Sequence, residues 1–258
     1  MTMKISKKIL LVLALALSLA AEAFAAGPSG NLRIQGDELE YDLSTGNGNA
    51  KGHVVLSYDG GTATCDSAQF NSNTREGVLK GNVVADRDNM HIVCDEFVTY
   101  NENDMSALGN VVITREGRTL SSDRVNYYKL REFAETEGGW ARLTDTDGST
   151  IDAQKIDYDM GKGEANAYGG VKIVSDAREL VATSDAAVYR TDNSGYVELT
   201  GNAKAVQKGN SVAGDKLRLT NTNVASAEGN VKIYYVPEEK KQAAPVPAGE
   251  GATDNTVA

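Results

Sequence analysis

The chain has 258 residues, of which 41% are hydrophobic and 24% charged, and a formal charge of −10. Such a composition supports a packed core and excludes wholesale disorder, while the acidic balance, with a pI near 4.8, argues against nucleic acid as a partner. Twenty-six glycines and eleven tyrosines against four prolines suit many short strands and tight turns, and two histidines exclude a His-rich metal site.

Residues 1–25 read as a secretory signal peptide. Lys4, Lys7 and Lys8 form the positive start, Ile9 to Ala21 the apolar run, and Ala23-Phe24-Ala25 the small-residue site, with cleavage expected before Ala26. The alternative is an uncleaved anchor, but the run is short for a membrane span, and no Cys follows it to carry a lipid. An exported chain is expected.

From about residue 30 the text is one unit written about seven times. A Gly-polar-apolar signal recurs as Gly52-His53-Val54, Gly81-Asn82-Val83, Gly109-Asn110-Val111, Gly139-Trp140-Ala141, Gly169-Gly170-Val171, Gly201-Asn202-Ala203 and Gly229-Asn230-Val231, at spacings of 29, 28, 30, 30, 32 and 28 residues. Between these glycines stands Asp-x-apolar-x-aromatic, from Asp37 to Tyr41, Asp66 to Phe70, Asp123 to Tyr127 and Asp185 to Tyr189, with Leu219 ending the copy at Asp215. Two copies depart: the one at Asp95 has Thr99 in the aromatic place and its tyrosine one residue late, at Tyr100, and the one ending at Tyr158 has Gln154 in the Asp place.

Inside each unit the apolar period is two, which predicts strands with one dry face. Turn residues separate them: Asp59-Gly60-Gly61, Asp88-Asn89, Glu116-Gly117 and Asp147-Gly148 on one side, and 42–46, 71–74, 159–163 and 192–195 on the other. Short turns join antiparallel neighbours, so each unit is about two antiparallel strands and the whole on the order of fourteen. A glycine recurring in one column marks a repeated bulge or bend. A stack of strands bent at one column is a trough, open at both ends, with the dry faces inside. The candidate interior residues are Leu39, Tyr41, Val54, Leu56, Phe70, Val83, Phe97, Val111, Ile113, Val125, Ile156, Val171 and Ile173. Small inward residues (Ala68, Ala85, Ala187, Ala203, Ala205) leave room for an apolar guest; the alternative is a self-filled β-sandwich core. Such a stack is at most about 65 Å long at ~4.8 Å per strand, and about half that if strands divide between two walls.

Cys65 and Cys94 occupy the same column of consecutive units. In an oxidising compartment a disulfide is feasible if their strands are neighbours, and not feasible if a third strand separates them. Asp145-Thr146-Asp147-Gly148 resembles the start of a calcium loop but lacks the downstream Glu, so a turn is the better reading. One Asp per unit in a fixed column is a structural pattern, expected to satisfy backbone N–H groups near the bend. His53 and His91 lie in strand patterns without a nucleophile signature, and no triad, P-loop or HExxH spacing occurs. No enzyme, no cofactor and no metal are expected. Residues 237–258, rich in Ala, Pro, Gly and Glu, read as a disordered tail.

The Gly-Asn-Val and Asp-x-apolar-x-Tyr signals, with Ala-x-Gly before the Asn (Ala50-Lys51-Gly52, Ala107-Leu108-Gly109, Ala227-Glu228-Gly229), resemble the OstA-like family over roughly residues 30–236. The resemblance implies an all-β, antiparallel repeat β-jellyroll occupying 26–236, about seven units of ~29 residues, with an apolar interior that holds the acyl chains of lipid A. It further implies periplasmic lipopolysaccharide transport by a bridge segment between inner and outer membranes. The implied partners are lipopolysaccharide, further copies of the chain docked end to end, and inner-membrane LptC-like and outer-membrane LptD-like proteins. Gly139-Trp140-Ala141 and Gln154 depart from the family's pattern. The competing readings are a structural envelope or adhesin-type repeat protein with a filled core and no lipid, and a parallel β-helix acting on polysaccharide.

Overall fold

The computed structural model describes residues 32–58, 60–190, 196–220 and 225–236. The signal segment, its cleavage site, the tail, Asp59 and the expected turn at 192–195 lie outside the described residues. The chain runs through eighteen strands: β1 (Arg33–Gln35), β2 (Glu38–Tyr41), β3 (Asn47–Tyr58), β4 (Gly61–Asn71), β5 (Gly77–Arg87), β6 (Met90–Thr99), β7 (Asp104–Arg115), β8 (Arg118–Tyr128), β9 (Phe133–Glu137), β10 (Ala141–Thr144), β11 (Thr150–Ala153), β12 (Lys155–Asp159), β13 (Glu164–Ser175), β14 (Leu180–Arg190), β15 (Tyr196–Gln207), β16 (Asn210–Thr220), β17 (Ala225–Glu228) and β18 (Lys232–Tyr234). Four pairs are halves of one crossing: β1 and β2 both lie along β3, β9 and β10 along β8, β11 and β12 along β13, and β17 and β18 along β16. Fourteen full crossings result, each antiparallel to the next. This is the expected all-β antiparallel class, and the pairing excludes a parallel β-helix. Every crossing runs through both walls of the trough, so of the two expected lengths the longer, about 65 Å, applies.

The bend is a bulge repeated in register. Between Lys51↔Ser67 and Val54↔Cys65, the two residues Gly52 and His53 oppose Asp66 alone, and the same skip recurs along β5, β7, β13 and β15. Gly81 and Asn82 show why these residue types stand there: both backbones are left-handed, at φ +76° and +47°. Glycine adopts that conformation without a Cβ penalty, and asparagine is the side chain that tolerates it best. The Asp of the preceding strand then packs against the glycine, and the Asn amide donates to it. Nδ2 of Asn82 reaches Asp66 at 2.9 Å, Asn110 reaches Asp95 at 2.8 Å, and Asn202 reaches Asp185 at 2.9 Å. The Asp column is therefore structural, as the pattern suggested, but where an Asn follows the glycine the partner of the Asp is that side-chain amide and not a backbone N–H.

The fourth unit breaks the rule by one residue. Register from β9 places Gly138 in the glycine position, whereas register from β11 places Gly139 there. The bend thus holds Gly138, Gly139 and Trp140 where other bends hold two residues.

The interior is one continuous apolar core. Val54, Val83, Phe97, Val111, Ile113, Val125, Ile156, Val171 and Ile173 are all buried in it, and Leu56 packs against it. Fully enclosed Leu120, Leu143, Ile156, Leu199 and Leu217 fill its middle and C-terminal parts.

Candidate functional site

At the N-terminal part of the trough the two walls do not meet. A cavity of about 330 Å³ lies between them, within the size range of ligand pockets. Its walls are Leu56, Ala63, Phe70, Leu79, Ala85, Met90, Phe97 and Met105. Its lips are two rows of turns, with Ser72, Arg75, Glu76, Asn101 and Glu102 on one side and Gly61, Asp86 and Arg87 on the other. The inside is mainly apolar and the lips are charged and polar.

The reason for the void is visible residue by residue. In the other units the place four residues after the Asp column points inward at the rim and carries a large side chain: Tyr127, Tyr158, Tyr189 and Leu219 are all buried there. Here that place is Thr99, which lines the cavity, with Gly77 opposite it. The missing ring is Tyr100, which alternation turns to the outer face, 44% exposed.

The thirteen candidate interior residues separate into three groups. Phe70, Phe97 and Leu56 line the cavity. Val54, Val83, Val111, Ile113, Val125, Ile156, Val171 and Ile173 belong to the packed core around and beyond it. Leu39 and Tyr41 share the inward face but sit on the terminal strand, so they are 52% and 41% exposed. Ile233 mirrors them at the other end, 73% exposed, opposite Val212. Thr99, Leu79, Met90 and Met105 were not singled out by the sequence pattern. The displaced Tyr100 was the signal that marks them.

The cysteines resolve to the second of the two arrangements. Cys65 is on β4 and Cys94 on β6, β5 runs between them, and both thiols are free and buried. Burial pushes the Cys94 thiol up to about 11, so it is no nucleophile. The Asp145–Ser149 segment is a turn. Asp145 Oδ1 accepts from the Thr146 N–H and from Arg118 Nε, and Asp147 accepts from the Ser149 N–H and from Arg178. Each of these carboxylates is thus ion-paired with a guanidinium group.

His53 stands in the first bend where four of the other bends carry Asn, with Nδ1 2.8 Å from Asp37 Oδ2. The hydrogen bond and charge of Asp37 raise its pKa above 6.5. A raised folded-state pKa stabilises below the unfolded value, and the contribution fades as pH rises through the folded one. The joint between β1 and β2 is therefore expected to loosen as pH rises above the ordinary imidazole range, read as falling amide protection factors at residues 36–40. His53→Asn should flatten that dependence, and an unchanged profile would show that the pair does not hold the edge.

A family model described as LptA/(LptD N-terminal domain) LPS transport protein matches the chain twice, over residues 62–163 and 96–225, which together span 62–225. No curated protein matches the sequence. Among solved structures the chain is similar to LptH, the LptA homologous periplasmic component of the conserved lipopolysaccharide transport device from Pseudomonas aeruginosa. The identity is 13%, the match covers 80% of this chain and 96% of that one, and the TM-score is 0.17.

Proposed function

The chain belongs to the LptA/LptD N-terminal family of lipopolysaccharide transport proteins, and on that premise we propose that it is a periplasmic carrier that shelters the acyl chains of lipid A in its trough. The apolar cavity behind Thr99 is the observation that carries this reading. Burying acyl chains there is worth about 0.8 kcal/mol per CH₂, while phosphorylated sugars stay at the charged lips. A saturable one-to-one complex of the mature chain with lipid A, seen by native mass spectrometry, is the expected result. A folded protein that takes up none would leave the filled-core structural reading, which the closed packing around Leu199 and Leu217 favours for the C-terminal part.

The carrier acts as a segment of a bridge, joined end to end to its own copies and to LptC-like and LptD-like proteins. Among the described residues, both ends of the trough expose inward-facing apolar residues and strand edges without a neighbour, the usual substrate of strand addition. An even number of crossings lets a second copy continue the antiparallel alternation. Within the chain, the residue before each bend glycine pairs with the one after the next Asp, as in Lys80↔Glu96, Leu108↔Arg124 and Thr200↔Lys216. Extending that register from Gly229 to Asp37 of a second copy sets Ala227 opposite Leu39 and Ile233 opposite Ile34, apolar against apolar. Cysteines at 233 and 34 are expected to give disulfide-linked ladders on oxidation, and cysteines at 233 and 35, on opposite faces, none. Equal cross-linking of both pairs would discard the register.

A further inference from the structure

Three of the departures of this sequence from its own repeat, Trp140, Gln154 and Gly170, meet at one point on the outer surface. Ala141 pairs with Ala153, which sets Trp140 beside Gln154. The Gln154 side chain lies against Gly169, where an Asp would lie in other units. Gly170 holds the place of an Asn at φ +86°, and the Trp140 ring covers it, its Cη2 3.7 Å from where a Cβ on residue 170 would stand. On the other side of the bend Asp123 abuts Gly138 and Gly139, and its carboxylate has no hydrogen bond or ion pair among the described residues. Arg142, two residues along the same face, is held bidentately by Asp152 at 2.6 and 3.0 Å.

The bend does not need this arrangement, because an Asn–Asp clasp serves four other units and a His–Asp pair a fifth. Trp140 is 59% exposed, its ring packed on Gly170. Around the ring stand the Asp123 carboxylate, the Gln154 carboxamide and the paired Arg142, with Tyr168 and Lys172 exposed on the same face on either side of the glycines. That set suits a ligand with one flat C–H face and hydroxyl donors around its edge. It suits an anion less well, because the Asp123 carboxylate stands at the bend beside the ring, and a membrane surface less well, because the ring lies flat on Gly170.

We propose that Trp140, Gln154 and Asp123 form a saccharide-binding patch, with a pyranose ring stacked on the indole and its hydroxyls donating to Asp123 and Gln154. The patch lies on the bend, away from the lips of the cavity, so it contacts sugar outside the trough. It rests on the carrier reading only for the source of that sugar, a glycolipid in transit.

Trp140 is the single tryptophan, so its emission reports the patch directly. The full mature chain is titrated with the delipidated, dephosphorylated core oligosaccharide of lipopolysaccharide, and separately with lipid A, following Trp emission and the indole N–H resonance. Saturable shifts with the oligosaccharide are expected. Asp123→Asn with Gln154→Ala should weaken them about tenfold or more, and Trp140→Ala, followed by amide resonances of 138–142, should abolish them while lipid A uptake stays intact. No shift at saturating oligosaccharide overturns the patch, and so does a Trp140 response to phospholipid vesicles or to a protein partner alone. Lipid A uptake without oligosaccharide binding overturns only the patch; oligosaccharide binding without lipid A uptake overturns only the carrier reading.

Discussion

Replacing Thr99 with Phe is expected to abolish lipid A uptake while raising the melting temperature. Thr99 faces inward between Gly77 and Met105 and lines the cavity. A phenyl ring there restores the large inward residue that other units carry and occupies the space in which acyl chains would lie. Cavity filling of this kind adds about 0.5–2 kcal/mol, which for a domain of this size is about 1–8 °C in Tm. Loss of binding with gain of stability is a combination that a damaged fold cannot produce. Tyr100→Phe, on the outer face, changes hydrophobicity one residue away and should leave uptake as it was. Native mass spectrometry with lipid A and a thermal melt decide the matter. A Thr99→Phe protein that is more stable yet still loads lipid would mean that the cavity is not where lipid sits.

Most of the architecture could be read from the chain because the repeat shows it seven times. A glycine and an aspartate alternating at fixed distance, with period-two apolar residues between, leave little besides a bent antiparallel stack. What the residues hid were pair relations. The Asp column and the Asn after each glycine are about 15 residues apart, and only the fold shows that the Asn amide and the Asp carboxylate bond to one another. The cysteine column looked the same whether one strand or none lay between its members, and β5 decided it. The site was half legible. The inward residues were in place, but a cavity is made by what is missing, and one threonine in this column weighs little beside the six large residues that conform. The extra residue in the 138–140 bend escaped notice because Gly139-Trp140 fits the spacing as well as Gly138 does, and pairing on both sides was needed to see three residues where two belong.

Gly109→Ala is expected to be the most damaging single substitution of a small side chain in the molecule. Gly109 sits at φ +72° in the middle of the stack, and an added Cβ would collide with the Asp95 carboxylate. The left-handed backbone alone costs an L-residue about 1–2 kcal/mol. Moving Asp95 aside also breaks its 2.8 Å bond from Asn110, worth about 1 kcal/mol net. Together these amount to about 2–3 kcal/mol, or roughly 4–12 °C in Tm. The two terms can be separated. Asp95→Ala removes both the obstacle and the bond, so Gly109→Ala in that background should cost only the backbone part, and the cycle should show about 1 kcal/mol of coupling. Position in the stack supplies a second test. Each crossing touches only its neighbours, so stability is nearly a sum of local and nearest-neighbour contributions. Gly229→Ala, with the same collision against Asp215 on the terminal crossing, should therefore fray β17 and β18 and leave the global melt nearly unchanged. Equal Tm losses at 109 and 229 would mean that the bend line acts as one cooperative unit, and a negligible loss at 109 would mean that the backbone there is not held left-handed by the clasp.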